Sequence, residues 1–292
     1  MLQKRYYTSV LLLLLLVAGR QGYAQYKDNT DFNIWYTKPG DTFRVYGKMA
    51  NVRSAPDKTA AIIDSLTCGS PVIIKEQGTT LENVKGIYAP WVKVKYYTTG
   101  PREGYIWLGM LALQNYTRTD GTCFLYGIER IEARVEKADD YVPAAWYIKV
   151  RALNTALQLL DEKEYKMRGG ESSATGGLLL GNMGLDNTID ILRIYFGGEA
   201  CGIPTNYYYF AWTGTRFLPL PGKMEVGDAG VFYHTETLLF PKEKGGQPGK
   251  IIKLSEEGEA DEEKVDKKGE PIFKVKKSRE VYLWDGASAK KQ

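Results

Sequence analysis

Histidine is nearly absent from this sequence: it occurs once, as His234, in 292 residues. That scarcity excludes any catalytic or metal-binding arrangement built on two imidazoles, His-Glu-x-x-His among them. Cysteine is also scarce, at Cys68, Cys123 and Cys201, and an odd count leaves at least one thiol without an intrachain partner. Buried free thiols, which pack as small apolar side chains, are expected in preference to a Cys123–Cys201 bridge, because spacing alone does not establish disulfide geometry. There is no Gly-x-Ser-x-Gly and no phosphate-binding loop. The glycine-rich "RGGESSATGG", Arg168 to Gly177, lacks the Lys-Ser/Thr ending that a phosphate loop requires and reads as a flexible loop.

Long apolar runs are missing too. The run from Val10 to Ala18 has nine residues, whereas a helix needs about 20 to cross a bilayer. It follows Lys4 and Arg5 and precedes Gly22-Tyr23-Ala24, the order of a secretory signal peptide. Residues 1–24 are therefore expected to be removed after Ala24, leaving a periplasmic or secreted protein with no transmembrane segment. "LVAGR" resembles the cleavage box of bacterial lipoproteins, but Arg20 stands where the lipidated cysteine would be. Losing Lys4, Arg5 and Arg20 takes the 39 basic residues to 36, against 35 acidic ones. So small an excess argues against a phosphate backbone as partner, and no nucleic-acid partner is expected.

What is present is β-forming sequence. From Arg44 onward short runs rich in Val, Ile, Tyr and Trp alternate with polar or glycine turns, the spacing of a small barrel or sandwich. In "WVKVKYY" the alternation puts Val92 and Val94 on one face and Trp91, Lys93 and Lys95 on the other. Ile62, Ile63 and Leu66 supply apolar positions of an earlier strand, and Gly69 suits a turn that denies a side chain. "VRSAPDKTAAIIDSLTCGSPVIIKE", "WVKVKYY" and "GYIWLGML" together resemble the bacterial SH3-like (SH3b) family over residues about 46–113, with Tyr105 where the family's Gly-Trp-Val has Trp. The stretch 77–90 lengthens one connection. This resemblance implies an aromatic-lined groove for a cell-wall peptide or an envelope protein, with Arg53, Tyr88, Trp91, Tyr96, Tyr105 and Trp107 as its candidate ligand-binding residues.

The expected organisation is all-β: an N-terminal arm over 25–42 (flexible, or an added strand), an SH3-like barrel over 43–115, and a larger antiparallel β-rich domain over 116–292. Within that last region Leu153, Ala156, Leu157 and Leu160 fall at helical spacing, but the alternation of "AWYIKV" favours strand. "YYYFAWTG" and "REVYLWDG" resemble strand endings of propeller-like repeats, at Trp212 and Trp284. Residues 242–277 read as a charged hairpin whose acids, Glu256 to Glu263, are balanced by lysines. Asp186, Asn187 and Asp190 offer a calcium loop that a turn with a local Asx hydrogen bond explains equally well, and no metal ligand or cofactor is expected.

Two enzyme candidates need weighing. Some cell-wall cysteine peptidases join SH3-like modules to a Cys-His domain, so Cys201 and His234 are the alternative reading as a cysteine hydrolase. However, Cys201 lacks the helix start that would activate a thiol, and His234 sits in an aromatic strand. The sequence reading is thus an exported, non-enzymatic binding protein, with a purely structural envelope protein as a further alternative.

Overall fold

A computed structural model describes residues 34–132, 135–137, 140–142, 145–168, 172–198, 201–265 and 267–292. The expected signal peptide, and the arm as far as residue 33, lie outside the described residues. The fold is all-β, with no α-helix among the described residues, and none of their helical segments is long and apolar enough to cross a membrane.

The first sheet contains β1 (Thr42–Arg44), β2 (Met49–Arg53), β3 (Ile62–Thr67), β4 (Pro71–Val84), β5 (Ile87–Tyr97) and β6 (Pro101–Trp107). It is antiparallel, with order β1-β4-β5-β6-β2-β3, and a Val45–Leu111 bridge joins the segments flanking it. Val72, Ile74, Val92 and Val94 point into the core, as alternation requires, and Gly69 has φ +86°. Ile62 and Ile63 depart from expectation: β3 is an edge strand, and of its apolar residues only Leu66 is buried. The arm also takes definite form. Ile34 and Trp35 are buried, and the Trp35 indole N–H donates to Leu111 O at 3.0 Å. Stretch 77–90 is no loose insertion. It extends β4 and β5 into a long hairpin that turns at Lys85 (φ +53°) and Gly86 (φ +82°).

Next come β7 (Gln114–Thr117), β8 (Cys123–Glu132), the two-stranded ribbon β9 (Val135–Lys137) and β10 (Asp140–Val142), then β11 (Ala145–Leu153) and β12 (Leu159–Arg168). The order β12-β11-β8-β7 forms a four-stranded sheet, and its β7 straddles the boundary expected at 115/116. The helical alternative is displaced by a hairpin turn. The Asn154 side-chain oxygen accepts from the backbone N–H groups of Ala156 and Gln158, while Leu157 takes φ +59°.

The third sheet is an eight-stranded meander in chain order. Its strands are β13 (Ala174–Leu179), β14 (Asp190–Gly197), β15 (Thr205–Trp212), β16 (Phe217–Asp228), β17 (Phe232–Leu239), β18 (Lys250–Val265), β19 (Pro271–Trp284) and β20 (Ala289–Lys291). Trp212 and Trp284 thus belong to one sheet rather than to separate four-stranded blades, and they pack into different apolar clusters. The expected charged hairpin is β18–β19.

One core spans the three sheets, from Trp35 and Val94 through Phe124 and Trp146 to Phe196, Trp212 and Phe217. Phe124 meets Trp212 and Phe217 edge-on, at 5.3 and 5.1 Å between ring centres, each such pair contributing about 1 kcal/mol beyond its burial. The sheets belong to one compact unit. All three cysteines are free. Cys68 and Cys123 are buried together, but Cys201 is exposed, against expectation.

Candidate functional site

The hairpin tip of β4–β5 explains why a cleft exists where the first two sheets meet. Ile131 N–H on β8 donates to Lys85 O at 2.9 Å. At Gly86 a Cβ would lie 2.0 Å from Ile131 O, so only glycine permits this approach. The tip therefore rests on β8. A cavity of about 520 Å³ remains beside it, within the range of small-ligand sites.

Its floor is a charged network. Arg151 on β11 is only 3% exposed. Its guanidinium donates to Glu162 at 3.0 Å and to the Tyr46 carbonyl, lies 4.4 Å from the Tyr46 ring centre, and stands 3.6 Å from Glu129. Glu129 in turn accepts from the Tyr46 hydroxyl and from Lys85, both at 3.1 Å, and has Lys149 at 3.7 Å. Burial pushes the Tyr46 hydroxyl pKa well up. For Glu129 burial acts upward as well, but the Lys85 hydrogen bond and the charges of Lys149 and Lys85 outweigh it and hold the carboxyl below its ordinary range. Glu162 is likewise held low, with Arg151 overcoming burial. Fully partnered charges of this kind fix geometry, since a buried charge left alone would be costly.

The walls are apolar, from Met49, Val84, Ile87, Trp107, Met110 and Ile128. Four cations, Lys48, Lys85, Lys149 and Arg151, face the cavity against one carboxylate, Glu129. Lys48 makes no ion pair among the described residues. Anionic character with an apolar portion is what such a lining complements.

The structure disperses the six residues singled out from sequence. Trp91, Tyr96 and Trp107 are buried in the core, at 5%, 1% and 6% exposure. Trp107 alone of the six lines the cleft, and its indole N–H is engaged by Ala89 O at 3.0 Å. Arg53 registers against Tyr105 across β2 and β6, donates to Ala60 O at 2.6 Å and stands 5.9 Å from the Trp91 ring centre. Tyr105 is half-buried and packs on the core. Tyr88 is exposed on β5, away from the cleft lining.

The other candidates resolve differently. Asp190 pairs with Arg118 at 2.5 Å and accepts from Gly181 N–H, and Asn187 donates to Gly286 O. That turn is therefore structural. Among the described residues no three metal-ligating groups converge. Cys201 and His234 flank the same strand: Gly202 N–H bonds Gly227 O on β16, and His234 registers against Val226. The imidazole nitrogens, however, stand 3.4 Å from Glu236 and 3.8 Å from Glu257.

No family model, no curated protein and no solved structure matches the chain.

Proposed function

We propose that this chain is an exported, non-enzymatic binding protein that seats an acidic, partly apolar ligand, a cell-wall peptide, in the cleft between its first two sheets. The observation that carries this reading is the pairing of an apolar wall with an excess of cations over a floor whose charges are already satisfied. A preorganised floor does not reorganise on binding, which favours affinity. The curled six-stranded sheet, spanning most of the segment that resembles SH3-like modules, supports the module's identity. The short apolar run behind Lys4 and Arg5 supports a periplasmic or secreted location.

Purified peptidoglycan and its soluble acidic stem peptides provide the test. The intact chain is expected to be retained by the wall, and Lys48→Glu is expected to weaken stem-peptide binding by about tenfold or more, as loss of a charged hydrogen bond implies. Equal affinity of the Lys48→Glu protein would remove the cleft from the reading. A protein ligand of the envelope would instead show as capture of an acidic partner with no retention on the wall. A second reading, a cysteine hydrolase, is favoured only by the single strand separating Cys201 from His234. Wall-peptide cleavage abolished in both Cys201→Ala and His234→Ala would replace the binding role.

A further inference from the structure

A second recess lies on the eight-stranded sheet, where β17, β18 and β19 run side by side. Residues directly opposite one another in an antiparallel sheet share a face. The register places His234 beside Glu257 and Glu257 beside Lys276, then Glu236 beside Ser255 and Ser255 beside Ser278, then Lys253 beside Glu280. These rows, Lys253 apart, line a cavity of about 390 Å³. Polar residues on the outer face of a sheet ordinarily stand in solvent, but here the Glu236 and Lys253 side chains are only 14% and 16% exposed.

Hydrogen bonding in the recess is incomplete. The His234 Nε2 atom is buried with Glu236 at 3.4 Å but no hydrogen bond. Ser255 reaches Glu236 only at 3.5 Å, and Ser278 stands exposed at the rim. Buried polar atoms are normally satisfied, so such a group calls for an occupant. Charge, by contrast, is complete. Glu236 has Lys253 at 3.2 Å, Glu257 has Lys276 at 3.5 Å and Glu280 has Lys291 at 2.5 Å. A cation or an anion entering would have to displace an existing pair.

We propose that this recess binds a neutral, polyhydroxylated ligand, a saccharide. Each sugar hydroxyl both donates and accepts, which suits a wall where carboxylate acceptors alternate with serine and lysine donors. Glu280, at one end of the recess, is held by the Tyr282 hydroxyl, which donates to it at 2.6 Å. The inference stands independently of the cleft.

The lone histidine makes the test direct, because the imidazole ring protons of the whole chain come from this recess. The full-length mature protein is titrated by NMR with maltotetraose and with the tetramer of N-acetylglucosamine. A saturable shift of the His234 signals is expected with at least one sugar, weakened about tenfold in Glu257→Gln and in Ser278→Val, with the unfolding midpoints of both variants unchanged. The Lys48→Glu protein, impaired in the cleft, keeps the full sugar response. No shift with either sugar overturns the proposal, as does a shift that both variants retain. A response to spermidine or inorganic phosphate but to neither sugar overturns the neutral class.

Discussion

Hairpins β11–β12 and β18–β19 both set opposite charges against each other across the strands and put them to different physical use. In the first, Arg151 and Lys149 register against Glu162 and Glu164. In the second, Glu256 and Glu257 register against Lys277 and Lys276. Yet the Arg151 side chain is 3% exposed, whereas those of Lys276 and Lys277 are 79% and 72% exposed. Tyr46, from the connection between β1 and β2, covers Arg151, and its carbonyl accepts from the guanidinium. An ion pair acquires energetic weight from what excludes water above it, and opposite charges facing each other on a ribbon do not ensure that.

The comparison breaks most visibly at Arg151. Arg151→Ala leaves the buried Tyr46 carbonyl without its donor and Glu162 without its hydrogen-bonded cation, and is expected to cost about 3–5 kcal/mol in urea unfolding. Docking of the hairpin tip comes next. Gly86→Ala meets both the positive φ and the 2.0 Å approach to Ile131 O, and about 1–3 kcal/mol of strain is expected from the same measurement. Acid then separates the regions. Glu129 and Glu162 are held below their ordinary 4.5, so their contribution is full above that value and drains as pH falls through it. The melting temperature of the native protein should thus drop more steeply below pH 4.5 than that of Glu129→Gln. At the small end, Lys277→Ala, on the exposed ribbon, should leave the melting temperature unchanged. A clear loss there would show that the two hairpins are energetically alike.

The all-β class was legible because alternation and turn residues recur along nearly the whole chain: Val92 and Val94 point inward, and Gly69 turns with positive φ. Site residues were harder to read, because aromatic rings suit a core as well as a groove. Trp91 and Tyr96 lie in the core. Exposed Ile62 and Ile63 show the converse, since edge position is set by pairing order, which local pattern does not encode. The cleft residues Tyr46, Lys85, Glu129 and Arg151 are far apart in sequence and meet through the docking of β4–β5 onto β8. Their only local signal was Lys149 and Arg151 alternating with Trp146, Ile148 and Val150, a charged face on a strand otherwise fit for burial.

The bond from Ile131 N–H to Lys85 O makes one amide a clock for the molecule. That hydrogen can exchange with solvent only when the tip of β4–β5 lifts from β8, and the same lift moves Val84, Lys85 and Ile87 away from Ile128 and Glu129 across the cleft. The deuterium uptake rate at this single position therefore times how often the cleft gapes. A ligand that bridges the two walls would slow that one amide while leaving the amides of β18 and β19 at their own pace.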